Sequence, residues 1–374
     1  MIAASRTSPS ISTSDWNRFE RIGAWVVLIG VFTTLFGLSW DVQWHSDVGP
    51  DTFWTVPHLF VYSGAALTGF AALTIVLLCT ALARNTSRPP AGWMSVFGYF
   101  YAPVGFVVAG FGAFGFLSFG VFDQWWHTIF GFDVTISSPP HLGLIFSDIL
   151  SMVGCALIFA RGREIRGWNG RAVGLAVATA FAVAFSLPFL IAVFSDFGWI
   201  IPLITLQAIL IPLAMLFVVS VTRNPWMALV TAVALIAFRW MSELLFPAMT
   251  LGYAESLGLA LRDGSRNNPE LPQLIPIFTP IAGLLASAIL AFWKARGGRV
   301  ILGVLLAGFV ATITLYLDSR MLPLQGINLL IVGAMALVGA GCGWIGWQLG
   351  VIARHISPES QRLEEGNRLE GVRA

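Results

Sequence analysis

Two segments of the chain repeat the same residue types at nearly the same spacing, and those types are the ones that hold transition metals. The first runs WDVQWHSDVGPDTFWTVPHL from Trp40 to Leu59, and the second FDQWWHTIFGFDVTISSPPHL from Phe122 to Leu142. Reduced to their metal-binding side chains, they are Asp41-x3-His45-x12-His58 and Asp123-x3-His127-x13-His141. Four of the protein's 5 histidines therefore sit at matched places in an internal repeat. An Asp and a His four residues apart share one face of a helix. The third residue follows Pro57 or Pro140, and proline suits the first turn of a helix. Two facing helix ends would then offer one carboxylate and two imidazoles to a single point, with positions left open for water or substrate. Such a set suits Cu(II), Zn(II) or non-haem Fe(II). Simple capping of helix ends would explain one lone histidine better than two matched triads.

Other candidates are weaker. Asp148 lies seven residues past His141, on the same helix face. It would orient the site, relay protons, or pair with a polar group on a neighbouring helix. Tyr62 lies four past His58 and is a candidate to support that ligand. Trp40, Trp44, Trp54, Trp125 and Trp126 fit an aromatic belt at a membrane interface, with packing behind the ligands as the alternative. Arg239 and Glu243 are spaced for a local ion pair. Asp318 and Arg320 read as a surface turn, and His355 has no assigned role. Cys79, Cys155 and Cys342 lack the spacing of a metal clip and read as small core residues. Gly105, Gly110, Gly112 and Gly115 suit close helix packing better than a phosphate loop.

The elements that must position these residues are set by composition. The chain has 374 residues, of which 57% are hydrophobic and 11% charged, against about 25% charged in soluble domains. Its outer surface must be apolar as well as its core, so lipid is the expected solvent. A net charge of +2 gives no basis for nucleic-acid binding. Apolar runs begin near Ile22, His58, Trp93, His141, Ala172, Trp199, Trp226, Leu274, Val300 and Ile327. No long alternation suggests a barrel. The expectation is an all-α, polytopic transmembrane helix bundle of about ten spans. Seventeen of the 21 basic residues fall on one side of that topology, which puts both termini in the cytoplasm and the metal motifs on the outer face. The expected divisions are a cytoplasmic tail over 1–21, a four-helix metal-binding repeat region over 22–160, six further helices over 161–352, and a cytoplasmic tail over 353–374. The longest outward tip, between the seventh and eighth helices, carries Glu255, Arg262, Asp263, Arg266 and Glu270 and suits a small cap.

Over about residues 22–160 the chain resembles one membrane-embedded component of the copper-containing membrane monooxygenases, the particulate methane and ammonia monooxygenases. That component has an Asp-x3-His-x12-His copper site, matched here by Asp41, His45 and His58, with Trp44 before the first histidine. It has a second set of the form Asn-x3-His-x13-His, matched by Asp123, His127 and His141 with Asp in place of Asn. The extra negative charge should hold a cation more tightly. The six helices after residue 161 have no counterpart in the resemblance.

The resemblance implies copper and oxygen chemistry, and iron or zinc remain alternatives. The first functional expectation is a copper-dependent oxidoreductase, or its metal-bearing subunit, in a bacterial plasma membrane. Its partners would be the lipid bilayer, other monooxygenase-type subunits or further copies of itself, and O2 with a small apolar substrate. The second is a protein that stores, senses or transfers copper without catalysis. The absence of Met-rich or Cys-rich strings weakens a Cu(I) transfer role. A ten-helix transporter is a third expectation, weakened because only Asp148 is clearly ionisable inside a span.

Overall fold

Each apolar run supplies a helix. The structure is a computed structural model that describes residues 13–49, 52–84, 92–131, 136–161, 168–198, 203–265, 269, 274–316 and 329–355. Among these, the helices are α1 (Thr13–Asp47), α2 (Val56–Arg84), α3 (Val104–Phe130), α4 (Pro139–Ala160), α5 (Gly170–Asp196), α6 (Leu203–Thr222), α7 (Met227–Ser256), α8 (Thr279–Ala295), α9 (Val300–Leu315) and α10 (Leu329–His355). Eight of them are long and apolar enough to cross a membrane. The other two, α8 and α9, have 17 and 16 residues. At about 1.5 Å per residue they reach about 25 Å, short of a hydrocarbon core of about 30 Å.

Three sequence expectations change. The run beginning at Trp93 is not helical at its start. Instead β1 (Trp93–Val96) and β2 (Phe100–Pro103) pair as an antiparallel hairpin. Aromatic and β-branched residues favour this. Phe97 and Gly98, at φ 53° and 74°, supply the two left-handed residues of a tight hairpin turn. Tyr101's peptide N–H donates to Thr80 Oγ1 at 3.0 Å, tying the hairpin to α2. The N-terminal tail is also shorter than expected, because α1 is already helical from Thr13. Finally, α10 continues through His355, past the expected start of the C-terminal tail. Residues 1–12 and 356–374 lie outside the described residues, as do Arg266, Glu270, Asp318 and Arg320.

Small residues bring the paired helices into backbone contact, which fixes the relative height of the helix ends that carry the ligands. In the α1–α2 pair, a Cβ on Gly37 would stand 2.6 Å from the peptide nitrogen of Val61. In the α3–α4 pair, one on Gly105 would stand 2.6 Å from that of Ile158, and one on Gly115 2.7 Å from Ser147 Oγ. Gly110 is looser, with Ala72 Cβ at 3.2 Å. The glycines thus act in helix packing, as the sequence suggests. Cys79 and Cys155 are buried free thiols, and Cys342 is partly buried. At the opposite end from the ligands, Arg171 reaches from α5 to Glu20 of α1 at 3.9 Å and donates to the Arg161 carbonyl at 2.5 Å.

Candidate metal centre

The last turns of α1 carry Asp41 and His45, and the matched turns of α3 carry Asp123 and His127. Each helix ends four residues past its histidine at a glycine in the left-handed region, Gly49 at φ 118° and Gly131 at φ 81°. A side chain would strain either position. The chain then turns back into the next helix. Before α2, Thr52 and Thr55 close a turn in which Thr55 Oγ1 donates to the Thr52 carbonyl at 2.8 Å. Before α4, Ser138 precedes Pro139 and Pro140 in the first turn. His58 and His141 follow the prolines and face the first two ligands.

In the first triad, His58 Nε2 lies 3.2 Å from Asp41 Oδ1, and His45 Nε2 lies 3.7 Å from Asp41 Oδ2. In the second, His141 Nε2 and His127 Nε2 each lie 3.4 Å from one oxygen of Asp123. Within each triad the three donor atoms are all within 4.8 Å of one another. Ligands about 2.0–2.1 Å from a shared ion stand about 2.9–4.1 Å apart between 90° and 180° angles, so the triads are close to the size a metal needs.

Hydrogen bonding behind the rings supports a cation at that point. His58 Nδ1 lies 3.0 Å from the Thr52 carbonyl and His127 Nδ1 lies 3.1 Å from the Gly131 carbonyl. A carbonyl oxygen only accepts, so Nδ1 carries the hydrogen in both rings. In a neutral ring the Nε2 lone pair then faces a carboxylate oxygen, and two acceptors at 3.2–3.4 Å repel unless a positive charge lies between them. Asp41 Oδ1 is buried and makes no hydrogen bond, despite its distance to His58. The two atoms are near but not aligned with each other, as expected of ligands aimed at a third point. A backbone carbonyl behind a metal-binding histidine is the usual device for fixing its tautomer.

The two triads line one cavity of about 930 Å³. All six predicted ligands are on its wall, together with Tyr62, which lies 5.8 Å from His58 ring to ring. Asp148 is brought to neither triad. It is buried in α4, off the cavity wall, and its Oδ2 makes no hydrogen bond. Trp54 and Trp125 are exposed as a belt would require. Trp40 and Trp44 are instead buried against Tyr253 of α7, at 6.0 and 5.0 Å between ring centroids.

Three features have no signal in the ligand motifs. Phe185 and Phe189 of α5 form part of the cavity wall. Arg262, in the segment after α7, also lies on the wall and donates from Nη1 to the His45 carbonyl at 3.1 Å. Asp47 accepts from Ser265 Oγ at 2.5 Å and Gln43 Nε2 at 2.6 Å, and its carbonyl accepts from the Arg262 peptide N–H at 2.7 Å. The tip after α7 therefore does cap the first triad, through Arg262 and Ser265. Asp51 and Asp133 fall outside the described residues. The chain matches no protein-family model, no curated protein and no solved structure, so these side chains carry the functional argument alone.

Proposed function

We propose that the chain is an integral membrane copper protein whose two Asp/His/His sites serve one cavity. It acts as a copper-dependent, monooxygenase-like oxidoreductase or as the metal-bearing subunit of one. The observation that carries this reading is that both triads line the same cavity, which two unrelated structural sites would have no reason to do. Copper, when bound, supplies one-electron redox chemistry and a means of engaging O2. The protein's part is to hold the ion with hard and borderline ligands, to fix the tautomers of His58 and His127 through Thr52 and Gly131, and to limit water with an apolar wall that includes Phe116, Phe185 and Phe189. Among the described residues no Cys or Met lines the cavity, which favours Cu(II) over a Cu(I) relay and catalysis over copper handling. Iron or zinc would fill the same ligand set with different chemistry. Electrons would come from a reductant or a further subunit, and a second copy of the chain is an alternative partner.

The proposed setting is a bacterial plasma membrane with ten spans, both termini inside and the triads outside. The short helices α8 and α9 would cross by local thinning of the bilayer, at a cost of fractions of a kcal/mol per Å. Reporter fusions after Arg161 and Arg299 should read cytoplasmic, and one at Asn268 external. A cytoplasmic reading at Asn268 would reverse the orientation of both sites. For catalysis, copper-loaded protein given a chemical reductant should consume O2 faster than the same protein lacking His127 and His141. Equal rates would remove the oxidoreductase reading and leave the metal sites standing.

A further inference from the structure

We infer that the shared cavity receives a ligand with an apolar body and one carboxylate head, and that Arg262 anchors the head. This rests on the metal reading above, because the charge balance of the cavity depends on it. With a divalent ion in each triad, the two ions outweigh Asp41 and Asp123, the imidazoles are neutral, and Arg262 adds a further positive charge. Without metal, the two carboxylates outweigh the arginine. The loaded cavity therefore attracts anions, while the empty one repels them.

Size points the same way. At about 930 Å³ the cavity lies in the range of about 300–1,000 Å³ used for drug-sized ligands, and a water occupies only about 30 Å³. A diatomic gas would leave most of it unfilled. Its wall is divided by chemistry. Leu144 and Ile145 of α4, with Phe116, Phe185 and Phe189, supply an apolar part, while the triads and Arg262 supply a polar one.

Arg262 is built into its place. Its peptide N–H is held by the Asp47 carbonyl and its Nη1 by the His45 carbonyl. The guanidinium lies across Gly49, where an added Cβ would stand 2.7 Å from Nε. Asp47 does not neutralise it, since that carboxylate is taken up by Gln43 and Ser265 and is off the cavity wall. Among the described residues Arg262 makes no ion pair. A guanidinium has five N–H donors in a planar fork suited to a carboxylate, and a single bond to a carbonyl leaves most of them for a ligand.

The test uses full-length, copper-loaded protein in nanodiscs of zwitterionic lipid, with hexanoate, hexanol and acetate as probes. Binding is read from changes in the Cu(II) electron paramagnetic resonance spectrum. Hexanoate should bind at least about tenfold more tightly than hexanol or acetate, and removing the metal should abolish its binding. Arg262→Gln should weaken hexanoate about tenfold with metal content unchanged, a loss typical of one charge-assisted pair. Arg262→Lys should lose less. Phe189→Trp, which narrows the apolar part, should weaken hexanoate but not acetate. The inference is overturned if hexanol binds as well as hexanoate. It is also overturned if Arg262→Gln changes affinity less than twofold, or if that variant loses metal, which would make Arg262 only a strap for α1. Each of these results leaves the metal sites intact or separately measurable. A parent protein that holds no metal would end both readings.

Discussion

Replacing His45 and His58 together by alanine removes one of two bound metal ions and leaves the other in place. The pair His127 and His141 behaves the same way. The effect should be large, because each double variant leaves a lone carboxylate on a solvent-accessible helix end. Loss of an outer-shell partner alone typically costs about 10–100-fold in metal affinity, and loss of two of three ligands should cost well beyond that. The sites should respond separately, since each set of ligands comes from its own pair of helix ends, α1 with α2 and α3 with α4. The fold should survive, because the helices are locked at their middles by glycine contacts at Gly37, Gly105 and Gly115 rather than at the triads. Metal analysis of the purified variants, alongside their thermal unfolding, checks both parts. Acidification should empty both sites, since imidazole must be unprotonated to bind. If either double variant keeps full metal, its triad is not a site.

Replacing Glu243 by leucine should cost the largest stability of any single change outside the glycine contacts. Arg239 is fully buried in α7, with its Nη2 at 2.7 Å and its Nε at 2.9 Å from Glu243 Oε1. Its Nη1 donates to the Ile275 carbonyl ahead of α8. Removing the carboxylate strands a guanidinium in an apolar interior, which costs about 3–5 kcal/mol. Unfolding should fall by on the order of 10 °C. Replacing both Arg239 and Glu243 by leucine should recover much of that loss, because the double variant buries no charge. A double variant no more stable than Glu243→Leu would show that the Ile275 contact, not the charge, holds α7 to α8.

The ligand triads are legible in the sequence because their spacing is local. Asp and His four apart, a glycine four further on, and a histidine just after proline are all short-range patterns, and each one dictates a helix face, a helix end or a helix start. The ten helices are legible from apolar run length. Other features depend on contacts that no local pattern encodes. Arg262 meets His45 across 217 positions of sequence. Phe185 and Phe189 reach the cavity only because α5 packs beside α4. Trp40 and Trp44 fit a belt by residue type, and the arrival of α7 with Tyr253 buries them. Asp148 shares a helix face with His141 in periodicity, yet it is enclosed by packing below the cavity. The β1–β2 hairpin is hidden in the sequence because its aromatic residues continue an apolar run without a break.

The most direct test of two metal sites is to load the purified parent protein with Cu(II), remove loosely held ions, and record both copper content and the electron paramagnetic resonance spectrum. Two triads predict about two copper ions per chain and a tetragonal Cu(II) signal with nitrogen couplings from imidazole. A protein that retains no copper, iron or zinc under these conditions, or copper without nitrogen coupling, would contradict the assignment.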